Sequence, residues 1–343
     1  MAEQPKRRQR TWSAFGDVRR MPTEYEIVSH GTNWTLREGR KAPLEQNPSS
    51  PGNLWFRTYR DQSPLAVDDW NGFRDPDALT YRKYVATQDG QESAVAAALN
   101  EYSDAGHDKT LQPGWLDTLQ LLFSATRFPL HGCQQMQAYV GFMAPSSYIT
   151  NAATFAAADL LRRVSLAAYR TTELGISWPD QGFGQGERRL WETHPAWQPA
   201  RELIETALVA YDWAEAFTAI DLVIMPTLDE LLLRQMREAS HTAGDHLTWL
   251  LLGYLTADSE RRARWSAALA RYAVTSRPEN AAVLEKWITK WGRRADAAAA
   301  GIAGVLESAG GPPAASGVAA AAQARASVHA EAGLQQAAAA AAQ

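Results

Sequence analysis

Glutamate and histidine residues that could bind a metal ion come together at one place in this sequence. Glu238 and His241 have the i, i+3 spacing that puts two ligands on one helix face, and Asp245 and His246 follow. A di-iron site in a helical bundle needs two such Glu-x-x-His pairs, and the sequence has one. We favour a solvated turn between helices, and a self-contained metal site at Glu238, His241 and His246 stays as the alternative.

Carboxylates are missing from a long stretch in which di-iron chemistry would require them. No Asp or Glu lies between Asp117 and Asp159, although iron of this type needs inward carboxylates in the middle of helices. Two other motifs are weaker. The glycine-rich run at Gly182 lacks the full dinucleotide fingerprint, and His131 beside Cys133 lacks the third group of a nucleophilic triad. We therefore predict no catalytic, cofactor-binding or metal-binding residue in this chain.

The composition restricts the class of protein. With 343 residues the chain is long enough for a sizeable core, and its net charge of -4 disfavours a nucleic-acid partner. The basic run near Lys6 is not followed by an apolar stretch, so it does not form a signal peptide. Residues 247–257 are apolar but too few to span a bilayer. A single cysteine, Cys133, fits a reducing compartment. We expect a cytoplasmic protein without a membrane partner.

Most of the sequence has the 3.6-residue apolar period of helices, and no stretch alternates as a strand would. The pattern predicts helices over residues 93–102, 115–143 with one interruption, 151–174, 201–225 continuing to 236, and 246–274. The motif Ser276-Arg-Pro-Glu279 predicts a capping box that starts the last clear helix. Several long helices with short connections imply an all-α fold, a helical bundle over residues 87–309.

The two ends of the chain differ from this middle. Residues 1–86 combine many prolines with large aromatic side chains and have no persistent period, which predicts an extended, irregular N-terminal arm. The arm either packs on the chain's own helices or, as we favour, contacts another subunit, because aromatic side chains are common interface anchors. The predicted interface residues are Trp12, Tyr25, Trp34, Trp55, Tyr59, Trp70, Phe73, Tyr81 and Tyr84. Residues 310–343 are rich in alanine and predict a flexible tail or a weak, solvent-exposed helix.

Motifs along the chain resemble those of one protein family. They are Arg10-Thr-Trp-Ser13, Pro22-Thr-Glu-Tyr-Glu-Ile-Val-Ser29, Asn53-Leu-Trp-Phe-Arg-Thr-Tyr59, Asp69-Trp70, Phe73-Arg-Asp-Pro-Asp-Ala-Leu-Thr-Tyr81, Gln88-Asp-Gly-Gln-Glu-Ser93, Ala168-Tyr-Arg-Thr171, Asp212-Trp-Ala-Glu-Ala-Phe217 and Arg264-Trp-Ser266. The chain resembles the hydroxylase beta subunit of bacterial multicomponent monooxygenases of the toluene, alkene and isoprene group. The similarity runs from about residue 10 to about residue 306 and leaves out the alanine-rich tail.

This resemblance implies a ferritin-like fold and a set of partners. A beta subunit of that group pairs with a homologous catalytic alpha subunit, which holds the diiron centre, and with a small gamma subunit, in a dimeric hydroxylase. An effector protein, a Rieske-type ferredoxin and an NADH reductase act on the complex. The complex would use NADH and dioxygen to oxidise a small hydrocarbon, either an aromatic such as toluene or an alkene such as isoprene. A helical binding module unrelated to oxygen chemistry is a further alternative.

The resemblance also implies where metal ligands have been lost. Residues 159–163 and 258–262 of this chain correspond to the two Glu-x-x-His motifs of alpha-type chains. Leu160 and Ser259 stand at the glutamate positions, and Arg163 and Arg262 stand at the histidine positions. A further glutamate ligand falls at Ala214, with Glu215 adjacent. An arginine at a histidine position would repel a metal cation, so the resemblance implies a bundle whose metal site has been emptied.

Overall fold

The chain folds into a bundle of α-helices, and its computed structural model describes residues 21–33 and 50–334, a part that contains no β-strand. The long helices are α3 (Tyr81–Asp104), α5 (Arg127–Met143), α6 (Ser147–Ser177), α12 (His246–Ser276), α13 (Asn280–Ser308) and α14 (Ala314–Glu331). The shorter helices are α1 (Glu24–Ser29), α2 (Pro51–Phe56), α4 (Pro113–Thr118), α7 (Glu187–Thr193), α8 (Gln198–Ala207), α9 (Trp213–Phe217), α10 (Met225–Asp229) and α11 (Met236–Thr242). The predicted all-α bundle is confirmed.

Helices α9, α10 and α11 follow one another without a break and form the central rod of the bundle. Two π-helical segments, Thr218–Ile224 and Glu230–Gln235, join them. The rod is almost entirely buried, because its apolar side chains meet helices on every side; Phe217, Leu222 and Leu228 have no exposed surface. Helix α5 packs along α6, and α12 and α13 complete the layers around the rod. Polar residues that lie on the rod are therefore held inside the protein.

Side-chain caps fix where the main helices begin. The Thr80 side chain accepts a hydrogen bond from the Lys83 amide, so α3 starts at Tyr81, inside the segment predicted to be irregular. The Asp245 carboxylate caps α12 at the Thr248 amide (3.0 Å) and also accepts a hydrogen bond from Trp115 Nε1 (2.9 Å). Asp245, which the sequence offered as a neighbour of possible metal ligands, is thus used as a buried cap.

The predicted capping box at Ser276 and Glu279 is wrong. Helix α12 extends to Ser276, and α13 begins at Asn280 with no side-chain hydrogen bond from Glu279. Asn280 itself fills the junction, because its Nδ2 donates to the carbonyls of Ala66 and Ala273, each at 2.9 Å. The chain reversal therefore depends on a buried asparagine that also fastens the segment around Ala66.

The described part of the N-terminal arm packs on the chain's own helices. Leu65 and Phe73 are 1% exposed and, with Tyr25, belong to the main hydrophobic core. Trp55 Nε1 donates to the Tyr139 hydroxyl on α5 (2.9 Å). The Trp70 ring meets Trp213 edge-on, with centroids 5.1 Å apart. These contacts favour the alternative in which the arm completes the core of its own subunit.

The alanine-rich tail corrects a prediction. Residues 314–331, expected to be flexible or weakly helical and exposed, form α14, which packs against α10, α12 and α13. Ala321 and Val328 are buried, and Arg325 donates to Thr227 Oγ1 on α10 (2.9 Å). Small side chains permit this close approach: a Cβ on Gly317 would lie 2.9 Å from the Cβ of Ala303. The tail helix is part of the fold.

Candidate functional site

Two similar pentapeptides face each other across the bundle, Asp159–Arg163 on α6 and Asp258–Arg262 on α12. Their outer arginines cross between the helices: Arg162 Nη1 binds Asp258 Oδ2 at 2.5 Å, and Arg261 Nη2 binds Asp159 Oδ2 at 2.5 Å. From α3, the Gln88 amide donates to both aspartates, and the Tyr84 hydroxyl donates to Asp159 (2.9 Å). This network ties α3, α6 and α12 together.

The inner arginines of the same pentapeptides converge on one aspartate of the central rod. Arg163 Nη1 lies 2.6 Å from Asp229 Oδ1, and Arg262 Nη2 binds Asp229 Oδ2. Ser259 Oγ donates to the same oxygen at 2.5 Å. All four side chains are buried. The positions that the resemblance assigns to two histidines and one glutamate are therefore brought together, around an acidic residue that the motif comparison did not include.

Both inner arginines carry a positive charge at neutral pH. Burial lowers the pKa of Arg163 to about 10, and burial together with repulsion by Arg163 lowers the pKa of Arg262 to about 10. Both values still lie well above 7, and a guanidinium has no lone pair to offer a metal. Asp229 balances only one of the two charges. The nearest further carboxyl is Asp221, one π-helical segment earlier on the rod, whose negative charge raises the pKa of Arg262.

This donor set does not fit a diiron centre. Such a centre needs carboxylates and imidazoles directed inward from four helices. Here Leu160 is fully buried without a polar atom, Ser259 offers a hydroxyl already bonded to Asp229, and Arg163 and Arg262 offer charges of the wrong sign. Neither Ala214 nor Glu215 joins the group, because the Ala214 amide is capped by Asp212 and Glu215 binds Lys290 at 2.5 Å. An ion network fills the space between the helices instead.

The remaining candidates from the sequence receive no support from the geometry. The rings of His241 and His246 lie 5.4 Å apart, but no three His, Cys, Asp or Glu residues within the described ranges are placed to hold a metal ion. His131 contacts Gln135, one turn away. Cys133 is fully buried, and burial raises the pKa of its thiol to about 12, so it is not an activated nucleophile.

Comparison with known proteins agrees with this architecture. The family described as methane/phenol/alkene hydroxylase matches residues 55–277 of the chain. The chain belongs to this hydroxylase family. It is 41% identical over 308 residues to the hydroxylase component subunit beta of the toluene-4-monooxygenase system of Ectopseudomonas mendocina, which covers 90% of this chain and 94% of that protein. The small subunit of the propane 2-monooxygenase hydroxylase of Gordonia sp. strain TY-5 is 28% identical over 156 residues, 41% of its length.

Solved structures give the same assignment. A structure of toluene 4-monooxygenase with toluene bound in its resting active site superposes with a TM-score of 0.83 at 41% identity, covering 89% of this chain and all of the other. Phenol hydroxylase from Pseudomonas sp. OX1 superposes with a TM-score of 0.75 at 19% identity, which shows the shared fold. The chain is thus a hydroxylase subunit of a multicomponent monooxygenase and works in a complex with a catalytic partner subunit.

The predicted interface residues of this hydroxylase subunit fall into three groups. Tyr25 and Phe73 are buried in the core of their own chain, which favours self-packing for these two. Tyr81 is 74% exposed and free to contact another subunit. The half-buried ones contact the chain's own helices and keep part of their surface open; they are Trp55, Tyr59, Trp70 and Tyr84. Trp12 and Trp34 lie outside the described residues. No helix in residues 21–33 and 50–334 has the length and apolar character needed to cross a membrane.

The buried carboxyl of Asp221 leads to a prediction about pH. Burial raises the pKa of Asp221 from 3.8 to about 7, although Arg262 opposes this shift. Because the folded-state pKa is the higher one, folding favours the protonated form, and this contribution is lost as the pH rises through 7. We expect the urea midpoint of unfolding to fall between pH 6 and pH 8, and Asp221→Asn to reduce this fall. The same slope in the wild-type and Asp221→Asn chains would contradict it.

Proposed function

We propose that this chain is a non-catalytic, structural beta subunit that supports the diiron alpha subunit of a monooxygenase hydroxylase. The observation that carries the proposal is the buried network of Arg163, Arg262, Ser259 and Asp229, which occupies the positions of metal ligands with groups that do not bind metal. The charge network crosslinks α6, α10 and α12 and so keeps the shape of a four-helix site without its chemistry. Oxygen activation then belongs to the partner subunit.

The proposed complex follows from the relatives. We infer that a small gamma subunit completes each half of a dimeric hydroxylase, and that an effector protein, a Rieske-type ferredoxin and an NADH reductase act on it. Its substrate would be a small hydrocarbon such as toluene, because a relative that covers nearly the whole chain belongs to a toluene-4-monooxygenase system. An alkene or isoprene stays an alternative. The complex would work in the cytoplasm, without nucleic-acid or membrane partners.

One face of the bundle has the surface that contact with the partner subunit requires. Helix α6 exposes Leu161 and Tyr169, spaced by two turns, and the neighbouring α3 exposes Tyr81 and Val85. Between these helices lies an apolar groove, lined in part by Leu166. Contiguous exposed apolar residues of this kind mark interaction surfaces in soluble proteins. We propose that this α3–α6 face, together with the partly open aromatic residues of the arm, contacts the catalytic subunit.

Metal analysis tests the structural role. We expect the chain, separated from its partners and washed with a chelator, to hold iron well below one atom per chain, because the donor set described above excludes a diiron centre. The reassembled hydroxylase should regain iron in proportion to the catalytic subunit alone. Iron tightly held by the separated chain at one atom or more would support the self-contained metalloenzyme instead.

Substitutions on the α3–α6 face test the assembly role. Tyr169→Arg and Leu161→Asp should reduce recovery of this chain with a tagged catalytic subunit, because each places a charge in an apolar contact. Val209→Asp, on an exposed apolar residue after α8, serves as the matched control. Helical circular dichroism should stay unchanged in all three. Equal recovery of the Tyr169 and Val209 variants would exclude this face as the contact surface.

A further inference from the structure

A polar cavity of about 390 Å³ lies between α12, α14 and the central rod. Its floor is made by Asp221, Asp229, Ser259 and Arg262, so it opens directly onto the ion network at the former ligand positions. Its outer edge is formed by exposed charged residues, namely Arg234, Glu260, Arg264 and Glu331. Nothing in the proposed structural role of the subunit uses this cavity, and the tail helix α14 supplies one of its walls.

Asp221 is the unexplained group on the cavity floor. Its side chain is 1% exposed, yet neither carboxylate oxygen has a hydrogen-bond partner. Two polar side chains are near, but neither bonds to it: the Ser266 hydroxyl donates to the Arg262 carbonyl (2.7 Å), and the Gln137 amide is itself without a partner. A buried carboxylate without donors is costly. The cavity is the one direction from which donors can reach Asp221.

The charges around the cavity do not balance. Arg234 and Arg264 are already paired, with Glu230 at 3.4 Å and Asp77 at 3.1 Å. Arg163 and Arg262 balance two of the carboxylates, counted as Asp229 and Asp221. The remaining acids, Glu260 and Glu331, have no ion pair or side-chain hydrogen bond anywhere in the described ranges. An occupant with two positive charges would therefore make the site neutral.

We propose that this cavity binds a short aliphatic diamine, with one ammonium on Asp221 and the other near Glu260 and Glu331. An ammonium supplies the N–H donors that the two Asp221 oxygens lack, and such charge-assisted hydrogen bonds are strong. The chain of methylene groups would lie along the apolar part of the wall, which Pro226, Ala263 and Val328 provide. The second ammonium gives the other positive charge that the rim requires.

A divalent metal ion has the same charge, but the geometry disfavours it. Hard cations need several oxygen ligands within about 2.0–2.6 Å, and no three acidic, histidine or cysteine side chains among the described residues are close enough to supply them. The Arg262 guanidinium on the floor also lies where a metal would have to sit. An extended organic dication instead distributes its charges between the floor and the rim.

Calorimetric titration of the full-length chain tests the proposal, with 1,4-diaminobutane as the probe and ionic strength held constant. We expect saturable binding of one molecule per chain, and butylamine should bind about tenfold more weakly because it lacks the second ammonium. The double variant Glu260→Gln/Glu331→Gln should bind the diamine as weakly as the monoamine. Both of its substituted residues are exposed, so the fold is kept. Glu307→Gln, on an exposed acid of α13 away from the cavity, is the control.

Asp221→Asn should abolish diamine binding, provided that its circular dichroism matches that of the wild type; the double variant decides the matter if it does not. Absence of saturable diamine binding to the wild type would overturn the proposal. So would equal affinity of the wild-type and double-variant chains. Saturable binding of Ca²⁺ or Mg²⁺ that displaces the diamine and is lost in Asp221→Asn would replace it by a metal site.

Discussion

Removing residues 310–343 is expected to destabilise the subunit strongly, although composition alone marks them as a dispensable tail. The deletion takes away the buried side chains of Ala321 and Val328 and the buried guanidinium of Arg325. It also removes the hydrogen bond between His329 Nε2 and the Leu222 carbonyl on the central rod (2.8 Å). Several buried apolar groups and two or three buried hydrogen bonds together correspond to roughly 3–6 kcal/mol of unfolding free energy.

Urea unfolding followed by circular dichroism measures this loss, and assembly with the catalytic subunit should fall with it. A single substitution sharpens the test. Arg325→Ala should reproduce part of the loss, because Thr227 and Asp296 both lose their partner. Gln323→Ala, on the exposed side of the same helix, should have little effect. A deletion variant as stable as the full chain would show that α14 does not contribute to the folded state in solution.

The helical bundle was predictable because its apolar residues recur at the helical period. Helix boundaries were less so. Helix α3 begins at Tyr81 because of the Thr80 cap, and it continues through Gly90, which in a sequence argues for an interruption. The π-helical segments of the rod, such as Thr218–Ile224, have no sequence signal of their own. They depend on how the surrounding helices pack.

The candidate site was predictable in one half only. The pentapeptides at Asp159 and Asp258 could be paired by their similarity, and this identified Arg163 and Arg262. Asp229 could not be found in this way, because it lies 66 residues from Arg163 and 33 from Arg262 along the chain. A signal did exist: Asp221 and Asp229 are acidic residues within an otherwise apolar stretch of helix, and such residues are rarely buried without a partner.

The tail was misjudged for a physical reason that applies to alanine-rich segments in general. Large apolar side chains indicate burial in a sequence, and α14 has few. Its burial comes instead from backbones that approach closely, at Gly317 and Ala321, and from one long polar side chain, Arg325, that reaches into the bundle. Close packing of small residues buries surface as effectively as bulk does, but composition alone does not show which neighbour receives them.

Replacing Asp229 is expected to be the most damaging single substitution in the bundle. Asp229→Asn keeps the size of the side chain but leaves Arg163 and Arg262 buried without their shared counter-ion. Removing one partner of a buried ion pair costs about 3–5 kcal/mol. The expected result is a large fall in the urea midpoint of unfolding, with loss of assembly following the loss of folded protein. Glu192→Gln, which breaks an exposed pair with Arg188, is the control and should change little.

A triple variant separates electrostatics from shape. In Arg163→Met/Asp229→Leu/Arg262→Met the whole ion network is replaced by apolar side chains of similar length, so no charge stays buried and uncompensated. Such replacements are often neutral or stabilising, and we expect the triple variant to be markedly more stable than Asp229→Asn. It should still assemble with the catalytic subunit, because the proposed role of this site is to hold helices together. If the triple variant folds stably but no longer supports the complex, the charges themselves take part in the function of the subunit.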